Sequence, residues 1–257
     1  MGDTAPQKSW KVVVEKLRVV IDSDDRQALV QTLSAPAVPT VLGFVNAHAM
    51  NLMAGHADDF KALSAPDVLL RDGVGIAILF RRLGLDPGLN MNGTDFIPQL
   101  LSAFNGRRVA FWGTQEPFLT QAAQRCQAQF GVQVVSVHHG FAEAQTYIDL
   151  ARQTQPQLIV LGMGMPKQEA VAARLAAVGQ PCLIVCGGAI LDFLGGKVSR
   201  APYWLRRLRC EWVFRLMIEP KRLFKRYVLG NPLFLLRVFF YTRTAQEGSR
   251  ETPRPSE

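Results

Sequence analysis

The sequence has few residues that could form disulfide bonds or a metal site. Its 257 residues include four cysteines and four histidines. No two cysteines form a CxxC pair, and Cys182 and Cys186 lie in an apolar run, so we interpret all four (with Cys126 and Cys210) as reduced and structural in a cytosolic chain. His138 and His139 have no carboxylate or cysteine spaced around them as co-ligands, so we predict no metal site and no cofactor.

Long apolar runs are also lacking. No 18 consecutive residues are apolar, and the best candidate, residues 227–241, is interrupted by Gly230, Asn231, Pro232 and Arg237. We therefore predict no membrane-spanning helix. The first ten residues, MGDTAPQKSW, are polar and are not typical of a signal peptide.

Acidic residues are scarce in the C-terminal region. Residues 197–243 contain 12 Lys and Arg and two acids, a net charge of +10, whereas the whole chain carries +8. This region predicts a phosphate-rich partner: an anionic membrane, a nucleotide or a nucleic acid. Aromatic residues interleave with arginines over residues 202–241, which favours a membrane-surface segment over a packing helix with a solvated basic face.

Strand and helix patterns alternate along most of the chain. After an outer strand at residues 12–21 and a helix capped by Asp24 or Asp25, strands are predicted at 40–45, 68–71, 108–112, 133–137, 158–161 and 182–186. Helices are predicted at 47–63, 74–83, 94–104, 117–130, 142–154 and 167–178. This alternation predicts an α/β fold with a parallel sheet and helices on both faces. We expect a catalytic domain at residues 1–200, a helical appendage at 201–245 and a disordered tail at 246–257.

A glycine turn follows the apolar strand at residues 158–161. Gly162 and Gly164 end the strand, and polar Gln168 and Glu169 open the next helix. Backbone N–H groups and the helix dipole at such a turn favour an anion. A tight turn that binds nothing is the alternative, and the polar residues at the turn favour ligand binding.

Asp72 leaves a buried strand and precedes Gly73. Ligands of parallel α/β sheets bind at the carboxyl ends of the strands, so this carboxylate is placed to accept a proton from a substrate hydroxyl as a general base. A helix N-cap is an equally good interpretation, because Asp is favoured just before a helix.

Other charged residues have weaker signals. Asp192 could orient a sugar or hold Lys197 or Arg200, and an ion pair is the commoner role for a lone Asp. Arg200 lies in a loop where it could meet a diphosphate. Residues 22–24 spell a DxD motif of metal-dependent glycosyltransferases, which we interpret as a helix cap.

A nicotinamide dehydrogenase is the obvious rival function. The turn GMGMPK lacks the third glycine of the dinucleotide fingerprint, and the next strand, PCLIVCGG, ends without an acid that would hold a ribose. Both departures argue against it.

Six segments in order resemble the WecG/TagA/CpsF glycosyltransferase family. They are VNAHAMNLM, PDVLLRDGVGIAILFRRLG, NGTDFIPQL, LIVLGMGMPKQE, CGGAILDFLGGKVSRAP and EWVFRLMIEPKRLFKRY, within residues 45–227. The resemblance implies a Rossmann-like core and an inverting, metal-independent transfer of a sugar from a UDP-sugar to a lipid-linked acceptor. It places the enzyme peripherally on the cytoplasmic face of the cell membrane.

The resemblance also implies roles for single residues. Asp72 matches the family's proposed base, and the remaining matches are to substrate-binding positions. These are Asn46, Gln168, Asp192, Arg215, Arg222 and Arg226.

Two positions depart from the family pattern. Phe44 stands where the family usually has Thr, and Asn90, which we keep as a candidate substrate-binding residue, stands where it usually has Arg. The segment LNMNGTDF resembles the corresponding segment of the branch that includes the xanthan-type glucosyltransferase. This resemblance implies a UDP-hexose donor such as UDP-glucose.

We therefore predict a hexosyltransferase of bacterial exopolysaccharide or cell-envelope glycan synthesis, with a polyprenyl diphosphate acceptor, an anionic membrane surface and no nucleic acid as partners. The oligomeric state stays open, a homo-oligomer included. The alternative is a non-catalytic basic module that binds a membrane or nucleic acid. Such a module does not need Asp72 and Gln168 in one cleft.

Overall fold

A computed structural model describes residues 5–207 and 211–250. Its single sheet contains seven strands, and every pairing is parallel. The strands are β1 Leu17–Arg18, β2 Thr40–Val45, β3 Val68–Arg71, β4 Arg108–Gly113, β5 Gln133–His138, β6 Leu158–Gly162 and β7 Leu183–Cys186. They lie in the order β1-β3-β2-β7-β6-β4-β5. The α/β fold with a parallel sheet is confirmed, and six of the predicted strands lie within one residue of their predicted bounds.

Helices surround the sheet and continue into the C-terminal region. They are α1 Ala5–Lys16, α2 Ser23–Ser34, α3 Ala47–Gly55, α4 Ala57–Ser64, α5 Val74–Arg82, α6 Gly93–Ala103, α7 Phe118–Phe130, α8 Ala144–Thr154, α9 Lys167–Ala176, α10 Ile190–Leu194, α11 Tyr203–Arg207, α12 Glu211–Ile218, α13 Pro220–Phe224 and α14 Gly230–Arg250. A π-helical turn, Lys225–Leu229, joins α13 to α14. The helix predicted at 47–63 is two helices, because the chain is extended at His56.

Apolar runs in the sequence become strands that are covered on both faces. All four residues of β7 are buried, as are the first four of β6. One hydrophobic cluster covers one face of the sheet with α2, α6 and α7, and two others cover the opposite face with α3, α8 and α9. A strand buried in this way needs no alternation of polar and apolar residues, which explains its continuous apolar sequence.

The prediction for the beginning of the chain is wrong. Residues 12–16 belong to α1, and only Leu17 and Arg18 form an edge strand. The buried residues Trp10, Val13 and Leu17 recur at spacings of three and four, which is a helical period, and Trp10 Nε1 donates a hydrogen bond to the Met50 carbonyl at 3.0 Å. Helix α1 begins at Ala5, and the first four residues lie outside the described part.

The C-terminal region folds as helices that return to the sheet. Phe234 and Val238 of α14 are each 1% exposed and lie in the same hydrophobic cluster as Trp10 and Met50. Helix α14 runs to Arg250, and residues 251–257 lie outside the described part. Within the described residues, no helix has the length and apolar character needed to cross a membrane.

Three of the four cysteines, Cys126, Cys182 and Cys186, are buried free thiols. Cys210 lies outside the described residues. Burial raises the pKa of Cys126 to about 12, so this thiol stays protonated and unreactive.

Candidate active site

Two polar side chains meet where β2 and β3 end. The two strands are in parallel register, with Val45 opposite Arg71, so Asn46 and Asp72 leave the same edge of the sheet. The backbone N–H of Asp72 donates to the Val45 carbonyl at 2.8 Å, which extends the pairing by one residue. The Asn46 side chain then donates from Nδ2 to Oδ2 of Asp72 at 3.3 Å. Strand register therefore places these two candidates together.

Asp72 is not the N-cap of α5. Gly73 occupies that position with a φ of +90°, a conformation that glycine adopts without strain. The Asp72 carboxylate instead accepts a hydrogen bond from the side chain of Asn46. The carboxylate is therefore turned toward the neighbouring strand end rather than toward its own helix.

Asn46 has two structural partners. Its Oδ1 accepts hydrogen bonds from the backbone N–H groups of His48 and Ala49, each at 3.1 Å, and so caps α3. Its amide orientation is thereby determined, because the oxygen must face the helix and the NH₂ group must face Asp72. A capped helix thus holds a hydrogen-bond donor against the carboxylate.

A cavity of about 1100 Å³ lies between these strand ends and the C-terminal helices. Asn46, Asp72 and Asn90 line it from the sheet side, and Arg215 of α12 and Arg226 of the π-helical turn line it from the other. The Nε atoms of both arginines are buried without a hydrogen-bond partner in the described part of the chain. Unpartnered buried guanidinium donors favour an anionic ligand in this cavity.

Burial and charge oppose each other at Asp72. Burial raises the pKa of this carboxyl group above its ordinary value, whereas the Asn46 hydrogen bond and the charges of Arg226, Arg215 and Arg71 lower it. Burial also lowers the pKa of Arg226, and the charge of Arg215 lowers it further. The site therefore gathers positive charge around a carboxyl group whose proton affinity is raised.

His48 is a cavity residue that the sequence analysis missed. It lies two residues after Asn46 in α3 and lines the cavity. Burial, with a smaller effect of the Arg226 charge, lowers the pKa of its imidazole to about 4. The ring is therefore neutral at pH 7 and able to accept one hydrogen bond and donate another. Its place in the segment VNAHAMNLM, two residues after Asn46, was the signal in the sequence.

Arg71 braces the loop next to Asp72, and the sequence analysis missed it too. This buried guanidinium donates to the carbonyls of Pro87 at 2.9 Å, Gly88 at 2.9 Å and Gly73 at 3.0 Å. Asn90 completes the brace, because its Oδ1 accepts the Gly73 N–H at 2.7 Å. A charged residue at the end of an apolar strand was the signal in the sequence.

Gln168 and Glu169 lie elsewhere. Both are buried at the start of α9, where Gln168 donates to Glu169 Oε1 at 2.8 Å and accepts the Gly188 N–H at 3.0 Å. Burial raises the pKa of Glu169 to about 7. Among the described residues, neither side chain lines the cavity, and neither do Gly162 and Gly164 of the preceding turn.

Asp192 lies in α10 next to the turn that follows β4. It accepts a hydrogen bond from Thr114 Oγ1 and pairs with Lys197 at 3.3 Å. Of the two partners that the sequence suggested, Lys197 is the one it contacts. Asp192 does not line the cavity among the described residues.

Arg200 and Arg222 are engaged in ion pairs. Arg200 contacts Asp95 at 2.7 Å and Glu211 at 3.7 Å, and so links α6 to α12. Arg222 pairs with Glu219, which also lies 3.6 Å from Arg215. In the described part of the chain, neither Arg200 nor Arg222 lines the cavity, so diphosphate contact by either would need a change of partner.

The DxD sequence at residues 22–24 is a helix cap. Asp22 accepts the N–H groups of Asp24 at 3.0 Å and Asp25 at 2.9 Å. The cap is therefore Asp22, not Asp24 or Asp25. The described residues contain no group of three or more His, Cys, Asp or Glu side chains arranged to hold a metal ion.

The cavity therefore unites Asp72 with Asn46, Asn90, Arg215 and Arg226, but not with Gln168. We expected an enzyme, but not a binding module, to bring Asp72 and Gln168 into one cleft. In this structure the two side chains do not line the same cavity. The two classes are separated instead by comparison with known proteins.

The chain belongs to the glycosyl transferase WecG/TagA/CpsF family, whose sequence profile matches residues 14–248. Among its relatives are three proteins described as N-acetylglucosaminyldiphosphoundecaprenol N-acetyl-beta-D-mannosaminyltransferases. That of Bacillus spizizenii is 25% identical over 71% of this chain and 72% of its own. The Bacillus subtilis protein is 24% identical over 78% and 79%. That of Staphylococcus aureus is 23% identical over 75% and 77%.

Proposed function

We propose that this member of the glycosyl transferase WecG/TagA/CpsF family transfers a sugar from a UDP-sugar to a lipid-linked acceptor that carries a diphosphate. Bacterial exopolysaccharide or cell-envelope glycan synthesis is the setting. The names of the three relatives, which act on a diphosphoundecaprenol acceptor, support the acceptor class.

One observation carries the proposal: Asp72 shares a cavity with two arginines whose Nε donors have no partner in the described residues. An inverting transfer needs a base on one side of the anomeric carbon and positive charge where the diphosphate leaves. The described cavity holds both. A non-catalytic basic module would require neither.

The chemistry follows from these groups. The ionised Asp72 carboxylate takes the proton of an acceptor hydroxyl while that oxygen attacks the anomeric carbon. A new C–O bond forms as the bond to UDP breaks, and UDP leaves with the electron pair. Arg215 and Arg226 balance the charge on the departing diphosphate. A single displacement of this kind inverts the anomeric configuration.

Asn46 would orient the base. It holds the Asp72 carboxylate through Nδ2, and its own position is set by the cap of α3. Arg71 and Asn90 hold the backbone immediately after Asp72. Both arrangements limit the movement of the carboxylate, which is what a positioned base requires.

The donor is proposed to be a UDP-hexose. Phe44, which replaces the usual Thr, is buried in the core, and Asn90, which replaces the usual Arg, is bonded to the Gly73 N–H. Neither supplies the side chain of the family pattern, so we do not transfer the N-acetylmannosamine donor of the relatives to this chain.

The C-terminal helices are proposed to rest on the inner face of the cell membrane. They expose large apolar side chains beside the basic residues: Trp204, Met217, Phe224, Leu229, Leu236 and Phe240 are each more than half exposed. Basic residues near an anionic bilayer contribute about 1 kcal/mol each, and apolar side chains add burial. A nucleic-acid partner is not part of the proposal.

A donor panel tests the function. Purified full-length protein is incubated with several UDP-sugars and with N-acetylglucosaminyl-diphosphoundecaprenol in detergent. We expect acceptor-dependent UDP release with one UDP-hexose and a product of inverted configuration. The absence of release and of thermal stabilisation with every UDP-sugar would contradict the proposal.

A further inference from the structure

The cavity that contains Asp72 has a mostly apolar part between α5 and α14, which we call the groove. Val74, Ile78 and Arg81 of α5 line the cavity at spacings of four and three residues, so they share one face of the helix. Pro232 and Leu235 of α14 line the same cavity. The groove therefore has one wall from each helix.

Close packing of α5 and α14 forms this groove. A Cβ atom on Gly75 would lie 3.1 Å from Phe234 Cε1, so glycine at this position lets the two helices approach. Further along, the Arg82 guanidinium lies 5.5 Å from the centre of the Phe239 ring. These two contacts keep the helices side by side from the cavity outward.

The groove walls are apolar yet accessible. Val74 is 38% exposed and Leu235 is 46% exposed, and both line the cavity. From Val74 to Arg81 the face of α5 is about 10 Å long, given the helical rise per residue. Its inner end adjoins Asp72, and its outer end carries the positive charge of Arg81.

We propose that this groove binds the first isoprenoid units of the lipid-linked acceptor, a subsite distinct from the polar part of the cavity. The inference rests on the proposed function, because it assigns a place to that acceptor. A polyprenyl diphosphate joins an anion to an apolar chain. The cavity likewise joins Arg215 and Arg226 to the apolar wall of α5 and α14.

The size of the cavity agrees with this assignment. At about 1100 Å³ it exceeds the usual range for a single small-molecule ligand, which is about 300–1,000 Å³. This volume is compatible with a nucleotide sugar and the head of a lipid acceptor in the same cavity. Phe239, one helical turn after Leu235 on α14, is 44% exposed, which directs the rest of the isoprenoid chain toward the proposed membrane surface.

The test compares two diphosphates that differ only in the isoprenoid chain. Binding of farnesyl diphosphate and of inorganic diphosphate to the full-length protein is measured by calorimetry, below the concentration at which farnesyl diphosphate forms micelles. We expect farnesyl diphosphate to bind about tenfold or more tightly. Leu235→Glu should remove most of this advantage: it should weaken binding of farnesyl diphosphate far more than binding of inorganic diphosphate, on which only the added charge acts.

Leu236→Glu is the matched control. Leu236 is on the same helix and is 54% exposed, but it does not line the cavity. The substitution should change neither affinity. Val74→Ser, on the opposite wall, should cause the same selective loss as Leu235→Glu, which keeps the test valid if one variant fails to fold.

Two results would overturn the inference: equal affinities for the two diphosphates, or equal losses from Leu235→Glu and Leu236→Glu. A different result would contradict the proposed function. Chain-dependent binding without transfer of any sugar would contradict the transferase and uphold the groove, whereas transfer without chain-dependent binding would contradict the groove alone.

Discussion

Asn46 and Asp72 lie at the ends of neighbouring parallel strands, with Nδ2 of one 3.3 Å from Oδ2 of the other. The same Asn46 side chain caps α3 through Oδ1. Because the cap determines where the amide nitrogen points, the stability of a helix and the orientation of the proposed base depend on one residue. The first two predictions follow from this pair.

The first prediction concerns Asp72. Asp72→Asn removes the proton acceptor and keeps the size of the side chain, so turnover should fall by roughly 10²–10⁴-fold while donor binding and the fold are retained. Turnover is measured by UDP release, and donor binding by thermal shift. Asp58→Asn, at an exposed residue of α4, is the control and should retain activity. Near-normal turnover in Asp72→Asn would exclude this residue as the base.

The second prediction concerns the pH dependence of turnover. Asp72 must be ionised to act as a base, so activity should be lost as the pH falls through its raised pKa. The Arg226 charge lowers this pKa, and its removal in Arg226→Gln should move the acidic limb of the kcat profile to higher pH. The surrounding charges are those of Arg71, Arg215 and Arg226, with the neutral ring of His48.

Arg152→Gln is the control for that profile, because Arg152 lies on α8 and its partner is Asp149. Its acidic limb should coincide with that of the unmodified protein. An unshifted limb in Arg226→Gln would mean that another group controls the pH profile.

The third prediction is metal independence. Positive side chains are proposed to balance the leaving diphosphate, so activity should survive excess EDTA. Asp22→Ala should lower the free energy of unfolding by about 0.5–2 kcal/mol through loss of the α2 cap, with no effect on turnover. Activity that disappears with EDTA and returns with Mn²⁺ or Mg²⁺ would refute this.

The fourth prediction concerns stability. Burial raises the pKa of Glu169 from 4.5 to about 7, so the folded state favours the protonated form. The contribution of Glu169 to the free energy of unfolding should be complete below about pH 4.5 and lost as the pH rises to about 7. This loss amounts to about 3 kcal/mol. Urea unfolding at pH 5 and pH 8 measures it.

Glu169→Gln should abolish that pH-dependent loss, because a neutral amide retains the size without the titration. Glu143→Gln, an exposed residue before α8, should leave the loss unchanged. The assignment to Glu169 fails if its glutamine variant shows the full loss.

The fifth prediction concerns the membrane. Full-length protein should bind anionic vesicles at low salt and be released by high salt, because screening weakens attraction between Lys or Arg and anionic lipid. Phe240→Glu should weaken this binding, since Phe240 is 56% exposed on α14. Phe141→Glu is the control, because Phe141 is also exposed but lies between β5 and α8, outside the C-terminal helices. Equal binding to neutral and anionic vesicles would contradict the electrostatic part.

Point substitutions are needed because α14 is not separable from the core. Phe234 and Val238 pack with Trp10, so truncation before Gly230 would open the hydrophobic cluster that they close.

The sequence by itself determined the α/β fold and most of its strands. Apolar runs such as the one that forms β6 have a length and a composition that suit a strand buried on both faces, and glycines mark their ends. It also determined that Asp72 and Asn46 would lie at the same edge, because parallel strands present their carboxyl ends together. These features depend on residues that are close together in the sequence, so the sequence alone reveals them.

The tertiary structure alone decided which candidates share the cavity. Gln168 and Asp192 also follow strand ends, but their side chains are turned to Gly188 and Lys197, whereas Arg226, distant in sequence, reaches the side of Asp72. Such outcomes depend on contacts between residues far apart in the chain, and the pattern of neighbouring residues does not encode them.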